Sequence, residues 1–349
     1  MFKIFMSSKS LERLCLAEMS KDKGDQSDWF LVLSKQKIIY LDKDVYNEWD
    51  DGDPLFIFSK SYVVDLKKSE IGFECMVNPS CESFPFEPQG AYLLDVSEDT
   101  ANSIQNDYGI ICQSTNDLTK CPLSGGERSF RLRKDERGRS WKELISNDPP
   151  LPSNAIIIID RYLFGYDKSD KVGFYDAISN IKNIMRCVLP MQLKTDYHII
   201  ILYDEGNSDK YYNIDTLARE LEEYKNTLKR PYNIVIQFMS IPKGSMGYYE
   251  GTHDRMIISN YFIVSATKHI KAFRGRQATA TQVVRCEYAY SAGLRNVSDP
   301  PMKTIETTLS IIHNMIEDGV EDGEQQGFVY DTTKGVKQNI SEVVNRLVV

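Results

Sequence analysis

Apolar residues in this chain gather into short runs over its first half and into longer, regularly spaced runs over its second. The second half gives the clearer pattern. Ala155 to Phe164 (AIIIIDRYLF) is an apolar run closed by Asp-Arg-Tyr, as in a strand buried on both faces. From Gly173 to Val188 the apolar positions are Phe174, Ile178, Ile181, Ile184, Met185 and Val188, a helical period. DYHIIILYDE (196–205) predicts a second buried strand, with His198 as a satisfied core residue. Ile214 to Lys229 predicts a helix with Leu217, Leu221, Tyr224 and Leu228 on one face, and YNIVIQFMSI (232–241) a third strand. A glycine-rich loop, KGSMGYYEGT, then delivers the chain to His253-Asp254-Arg255. Behind that triplet, MIISNYFIVSA is broken by Ser259 and Asn260, which predicts a hairpin of Met256 to Ser259 and Tyr261 to Ala266. Strand, helix, strand, helix, strand and hairpin imply right-handed crossovers around a parallel or mixed sheet with helices outside. Beyond it, 282–292 predicts a strand, Pro301 to Asp318 a helix, and 337–347 a final helix after an acidic, flexible segment, EDGVEDGEQQG.

The first half predicts a mixture of α and β elements. Phe2 to Met6 reads as a strand and Ser8 to Met19 as a helix capped by Ser7 or Ser8. The runs WFLVL (29–33), KIIYLD (37–42), LFIF (55–58) and SYVVDL (61–66) have the length and residue types of strands. Lys67 to Pro88 reads as a loop. The next stretch reads strand (91–96), helix (98–107), strand (109–113), with Ser97 as N-cap before Glu98 and Asp99. SNDPPLPSN (146–154) is the best linker. The expected organisation is an α/β or α+β domain over 1–145, the linker, and an α/β domain with C-terminal helices over 155–349.

With 349 residues and 42% hydrophobic content, two domains with sizeable cores are expected and wholesale disorder is excluded. The net charge of −8 argues against a general nucleic-acid coat but leaves room for a local basic patch. Seven scattered cysteines without a C-x-x-C pair indicate neither a zinc ribbon nor a disulfide framework, so reduced thiols and a cytoplasmic location are expected. The N-terminus does not read as a signal peptide, and no apolar run has the length of a membrane span. No cofactor or metal and no membrane are expected, while a homodimer or a protein partner is compatible with the sequence.

Two basic stretches stand out against the acidic total. SGGERSFRLRKDERGRSWKEL holds Arg128, Arg131, Arg133, Lys134, Arg137 and Arg139, with Phe130 and Trp141 among them. Such a mixture can grip phosphates and stack bases, or form a solvated loop or helix face. TKHIKAFRGRQ adds Lys268, Lys271, Arg274 and Arg276 close behind the triplet. The triplet can hold a phosphate, or Asp254 can pair with Arg255 or Arg161. Asp42, Asp65 and Asp95 stand at predicted strand ends, where metal-dependent nucleases gather ligands. YLLDVSED is superficially similar to PIN-type nucleases, but strand-end Asp is also ordinary turn chemistry and no acidic pair has diagnostic spacing.

In that order, IIIIDRYLF, a helix, HIIILYDE, a helix, NIVIQFMSI and THDRMIISNYFIVSA resemble phospholipase-D-like domains of the degenerate, HDR-bearing kind. These occur at the C-terminus of MIT-domain proteins and in bacterial relatives, and the resemblance covers about residues 154–290. It implies a mixed sheet flanked by helices and a phosphodiester site at His253, Asp254 and Arg255. Arg161, Lys268, Lys271, Arg274 and Arg276 are its further candidates. Active members use His-x-Lys-x4-Asp. Here Arg255 keeps the cation, but Asn260 stands at the acid position, and the second H-x-K, His269-Ile270-Lys271, has Arg276 there. The resemblance therefore implies binding of a phosphodiester, nucleic acid first, by a catalytically degenerate domain. Bacterial relatives often sit in defence or mobile-element contexts. The rival is an active nuclease, working at His253 or through a metal on Asp42, Asp65 and Asp95. Phosphoinositide binding is disfavoured because no amphipathic basic helix is evident. His253 is expected near the ends of the central strands, close to Asp160 or Arg161.

Overall fold

A computed structural model describes residues 2–19, 28–36, 38–43, 46, 65–79, 84–118, 120–125, 127–145, 151–165, 173–204, 213–242, 255–291, 300–319, 321–322 and 325–348. The protein is of the α/β class, with eight α-helices, a five-stranded sheet and a nine-stranded sheet among these residues. It divides into two compact units, residues 1–126 with 288–302, and residues 127–287 with 303–349. The division falls ahead of the basic stretch rather than in the proline-rich one, where Ser153 and Asn154 are buried. No helix among the described residues is long and apolar enough to cross a membrane.

The first unit carries β1 (Lys3–Met6), β2 (Ile38–Leu41), β3 (Asp65–Lys68), β4 (Gly90–Leu94) and β5 (Ile111–Ser114). They pair in the order β3-β2-β1-β4-β5, all parallel. Helices α1 (Ser8–Met19), α2 (Asp28–Gln36), α3 (Phe73–Val77) and α4 (Glu98–Tyr108) connect them. At α4 the predicted cap forms, with Ser97 Oγ accepting the Thr100 N–H at 3.1 Å. Gly109, at φ 64°, closes the same helix in the left-handed conformation that glycine adopts without a Cβ clash. The WFLVL run is helical, not extended. A five-residue apolar run fits either state. Here Trp29, Phe30, Val32 and Leu33 share a buried face, and Asp28 and Lys35 complement the helix dipole. The expected 67–88 loop contains the end of β3 and all of α3. LFIF (55–58) and the start of SYVVDL lie outside the described residues.

The second unit carries β6 (Arg128–Leu132), β7 (Ala155–Asp160), β8 (Tyr197–Asp204), β9 (Ile234–Ile241), β10 (Arg255–Ser259) and β11 (Phe262–Ala266). A short pair, β12 (Phe273–Arg274) and β13 (Gln277–Ala278), precedes β14 (Gln282–Tyr288). Another short pair, β15 (Glu321–Asp322) and β16 (Gln325–Gln326), precedes β17 (Phe328–Asp331) and β18 (Val336–Asn339). The large sheet runs β18-β17-β9-β8-β7-β10-β11-β14-β6. Helices α5 (Trp141–Ile145), α6 (Phe174–Val188), α7 (Ile214–Thr227) and α8 (Pro301–Asp318) complete the unit's chain.

Strands β7, β8 and β9 are parallel, with α6 and α7 between them in sequence, and β7 is buried at all six positions. The β10–β11 hairpin forms and lays β10 antiparallel on β7. Residues 337–347 are not a helix. Val336–Asn339 pair with β17, a 3-10 turn follows over Ile340–Glu342, and Asn339 Oδ1 accepts the Ser341 N–H. Asparagine side chains that bond nearby main chain compete with helix in this way, and Asn345 does the same toward Leu347.

Candidate functional site

Two neighbouring parallel strands, β7 and β8, each end in a buried aspartate. Asp160 Oδ1 accepts the Tyr162 N–H at 2.9 Å, and Oδ2 accepts the Ile270 N–H at 2.8 Å. Burial raises its carboxyl above the usual carboxylate range, opposed by Lys271, the two main-chain donors and Arg255. Lys271 is itself buried and donates Nζ to the carbonyls of Tyr162 at 2.8 Å and Gly165 at 2.7 Å. A buried charge needs an opposite charge and hydrogen bonds; Asp160 supplies the first and the two carbonyls supply hydrogen bonds. They tie the turn after β7 and the 269–271 segment to the end of the strand. Lys271 is thus an internal fastening, not the surface phosphate ligand expected from sequence.

The turn so held presents Arg161 and Tyr162. Arg161 Nε lies 3.3 Å from Asp204 Oδ2, whose side chain is fully buried. Arg255 opens β10 directly across from Asp160. The guanidinium carbons of Arg161 and Arg255 lie 5.5 Å and 5.8 Å from the Tyr162 ring centroid, inside the ~6 Å reach of a cation–π contact. The tyrosine remains 40% exposed. Arg255 Nε is buried without a hydrogen-bond partner among the described residues. His253 and Asp254, which precede Arg255 in the chain, lie outside the described residues.

The remaining predicted cations are placed elsewhere or engaged locally. Lys268 is exposed. Arg274 makes a two-pronged pair with Asp176, at 2.9 Å and 2.6 Å, and Arg276 donates to Glu143 Oε1 at 3.0 Å. The first basic stretch is neither loop nor helix at its start but β6, antiparallel to β14 and last in the sheet order. Cations on an edge strand hinder its pairing with another chain, which accounts for Arg128 and Arg131 without a ligand. Arg131, Arg133, Lys134, Arg137 and Arg139 are exposed, with Arg139 4.7 Å from the Phe130 ring, while Arg128 donates to the Glu143 carbonyl.

Two of the three strand-end acids of the first unit come together, and the third stands apart. Asp42 and Asp95 line one cavity of about 320 Å³ with Phe73, Val77 and Val96. Asp42 accepts the Phe73 N–H at 2.6 Å and Asp95 pairs with Lys9 at 3.0 Å. Asp65 begins β3 opposite Ile38 and so stands at the other end of the sheet. Among the described residues no group of three or more His, Cys, Asp or Glu could hold a metal ion.

His198 departs from its reading as a satisfied residue. Its Nδ1 is buried with no hydrogen-bond partner among the described residues, and burial, then Arg346, pushes the imidazole down to about 4. Asp204 escaped notice in the sequence, although LYDE repeats at the second strand the acid that closes the first. No protein-family model matches this chain, and no curated protein matches it in sequence. Fold and site alone define the class: an α/β protein with an aromatic ring beside two arginines where parallel strands end.

Proposed function

We propose that the second unit is a catalytically degenerate, phospholipase-D-like binder of phosphodiesters, with nucleic acid as its ligand and the cytoplasm as its place of work. The observation that carries this reading is the exposed Tyr162 ring beside Arg161 and Arg255. An aromatic face stacks bases of any sequence, and guanidinium groups pair with phosphate oxygens in two-pronged fashion. Ligands of open α/β sheets gather at the carboxyl ends of the strands, where this cluster stands.

Asn260 supports binding without turnover. It is fully buried and bonded to the main chain of Asn154 and Ala155. At about 3.3 Å per residue, β10 puts it on the order of 16 Å from Arg255. The residue at the family's acid position therefore serves the hairpin turn, and general acid assistance, typically worth ~10²–10⁴ in rate, is missing from it.

The test is fluorescence anisotropy of labelled single-stranded DNA and RNA over a salt series, beside gels for cleavage with and without Mg²⁺ or Mn²⁺. Salt-sensitive binding weakened by Arg255→Ala and Tyr162→Ala, without cleavage, is expected. Metal-independent cleavage abolished by His253→Ala would replace this reading with a working nuclease. Binding indifferent to all three substitutions would remove the site.

A further inference from the structure

A cavity of about 480 Å³ opens where α5, α6 and the β12–β13 hairpin approach one another. It lies along the carboxyl half of α6, beside Asn183 and Arg186, on the order of 14 Å down the helix axis from its first residue. The Tyr162 site precedes that helix in the chain. Trp141 forms the rigid wall. Its indole N–H donates to Asn180 Oδ1 at 2.8 Å, and its ring meets Phe273 edge-on at 5.3 Å.

Three cations from three elements line this cavity: Lys142 of α5, Arg186 of α6 and Arg276 of the hairpin. Arg276 is held in place by Glu143 and the Gly138 carbonyl, and Ser140 donates to the other oxygen of Glu143. Lys142 and Arg186 are exposed, and among the described residues neither has a hydrogen bond or a carboxylate partner. Gly275, at φ 62°, has nothing within 4 Å of where a Cβ would stand, so the rim beside Arg276 is open.

Cations of one sign gathered at a concave surface repel one another and raise the local concentration of anions. On a chain of net charge −8 this gathering stands out. The volume is within the roughly 300–1,000 Å³ of small-molecule sites. A phosphomonoester carries about −1.5 to −2 charges near pH 7, whereas each backbone phosphodiester carries one. Two unpaired cations beside an anchored third match the monoester.

We infer that this cavity binds the phosphate of a small phosphomonoester, with a nucleoside monophosphate as the representative ligand. Lys142, Arg186 and Arg276 hold the phosphate, Asn183 offers a neutral hydrogen bond, and the Trp141 wall faces the organic body. The site is separate from the nucleic-acid reading and stands without it.

Isothermal titration of the full chain with AMP, adenosine and inorganic phosphate tests the assignment. AMP is expected to bind at a single site and adenosine not at all. Inorganic phosphate binding as tightly as AMP also supports the site and names free phosphate as the source. Lys142→Ala and Arg186→Ala should each weaken AMP binding by about tenfold or more, the size of a charge-assisted hydrogen bond. Arg186→Lys should retain more affinity than Arg186→Glu, and Lys182→Ala, a surface cation paired with Glu220, should change nothing. All these positions are at the surface, so unchanged melting of each variant separates lost binding from lost folding. Absence of AMP and phosphate binding, equal affinity in the doubly substituted protein, or displacement of AMP by an oligonucleotide lacking terminal phosphates overturns the inference.

Discussion

Asn260 and Asn154 clasp each other, Nδ2 of the first donating to Oδ1 of the second at 2.9 Å, while Asn260 Oδ1 accepts the Asn154 main-chain N–H at 3.0 Å. The clasp fixes the β10–β11 turn to the start of β7, so its removal orphans buried donors. Asn260→Ala should cost about 2–4 kcal/mol in urea denaturation, from two or three lost hydrogen bonds. Asn260→Asp, which puts an acid at the position the proposed phospholipase-D-like reading assigns to one, should lose stability and gain no phosphodiesterase activity, because it buries a carboxyl far from Arg255. Turnover appearing in Asn260→Asp and vanishing in its combination with His253→Ala would contradict the assignment.

Arg255→Ala should lower oligonucleotide affinity and reduce the slope of log K against log salt by about 0.7 on a single strand. Tyr162→Ala should cost about 1–3 kcal/mol of binding while Tyr162→Phe keeps most of it, since the proposed reading has the ring face and not the hydroxyl meet the base. Equal losses in the two tyrosine variants would point to the hydroxyl instead.

Lys271→Met should destabilise the fold by about 3–5 kcal/mol, because it leaves Asp160 buried beside a vacated charge. Adding Asp160→Asn should recover part of that loss, since burial alone already favours the neutral carboxyl. Urea midpoints of the two single variants and the double variant measure the coupling. A Lys271→Met protein of unchanged midpoint but weakened oligonucleotide binding would return this lysine to the surface role.

His198 gives the fold a pH dependence of definite sign. Its imidazole titrates near 4 in the folded protein, and near 6.5 in an unfolded chain. The folded state binds this proton less readily, so the contribution is complete above about pH 6.5 and is lost as pH falls toward 4. The loss is on the order of 3 kcal/mol at ~1.36 kcal/mol per unit. Urea midpoints of wild type and His198→Gln between pH 7 and 4 should diverge, the variant showing the flatter profile. Parallel profiles would assign the acid sensitivity to other groups.

The second half of the chain was legible because its elements follow strong periods. Six buried positions in β7 and the apolar face of α6 leave only one arrangement of strand and helix. Of the triplet only Arg255 lies among the described residues, and it stands across from Asp160 where β7 ends. What sequence did not reveal was burial of individual charges. Lys271 and Arg274 stand three residues apart in one basic stretch, yet the first is buried and the second is exposed. Only the turn after β7, whose carbonyls take up the ammonium group, distinguishes them. In the first half, Trp29 to Leu33 were too few to reveal a period, and flanking Asp28 and Lys35 were the available helix signals.

The chain passes between its units three times, at 126–127, 287–288 and 302–303. A gene fragment ending after the first 126 codons would omit Tyr290, whose ring meets Phe2 at 5.5 Å and whose hydroxyl donates to Gln36. Recombination that moved the opening α/β unit into another gene would therefore deliver it incomplete, with an aromatic seat empty beside its first strand. Duplication or transfer preserves the first unit only when the reading frame is copied through codon 302, and by then the strand-end site has travelled with it.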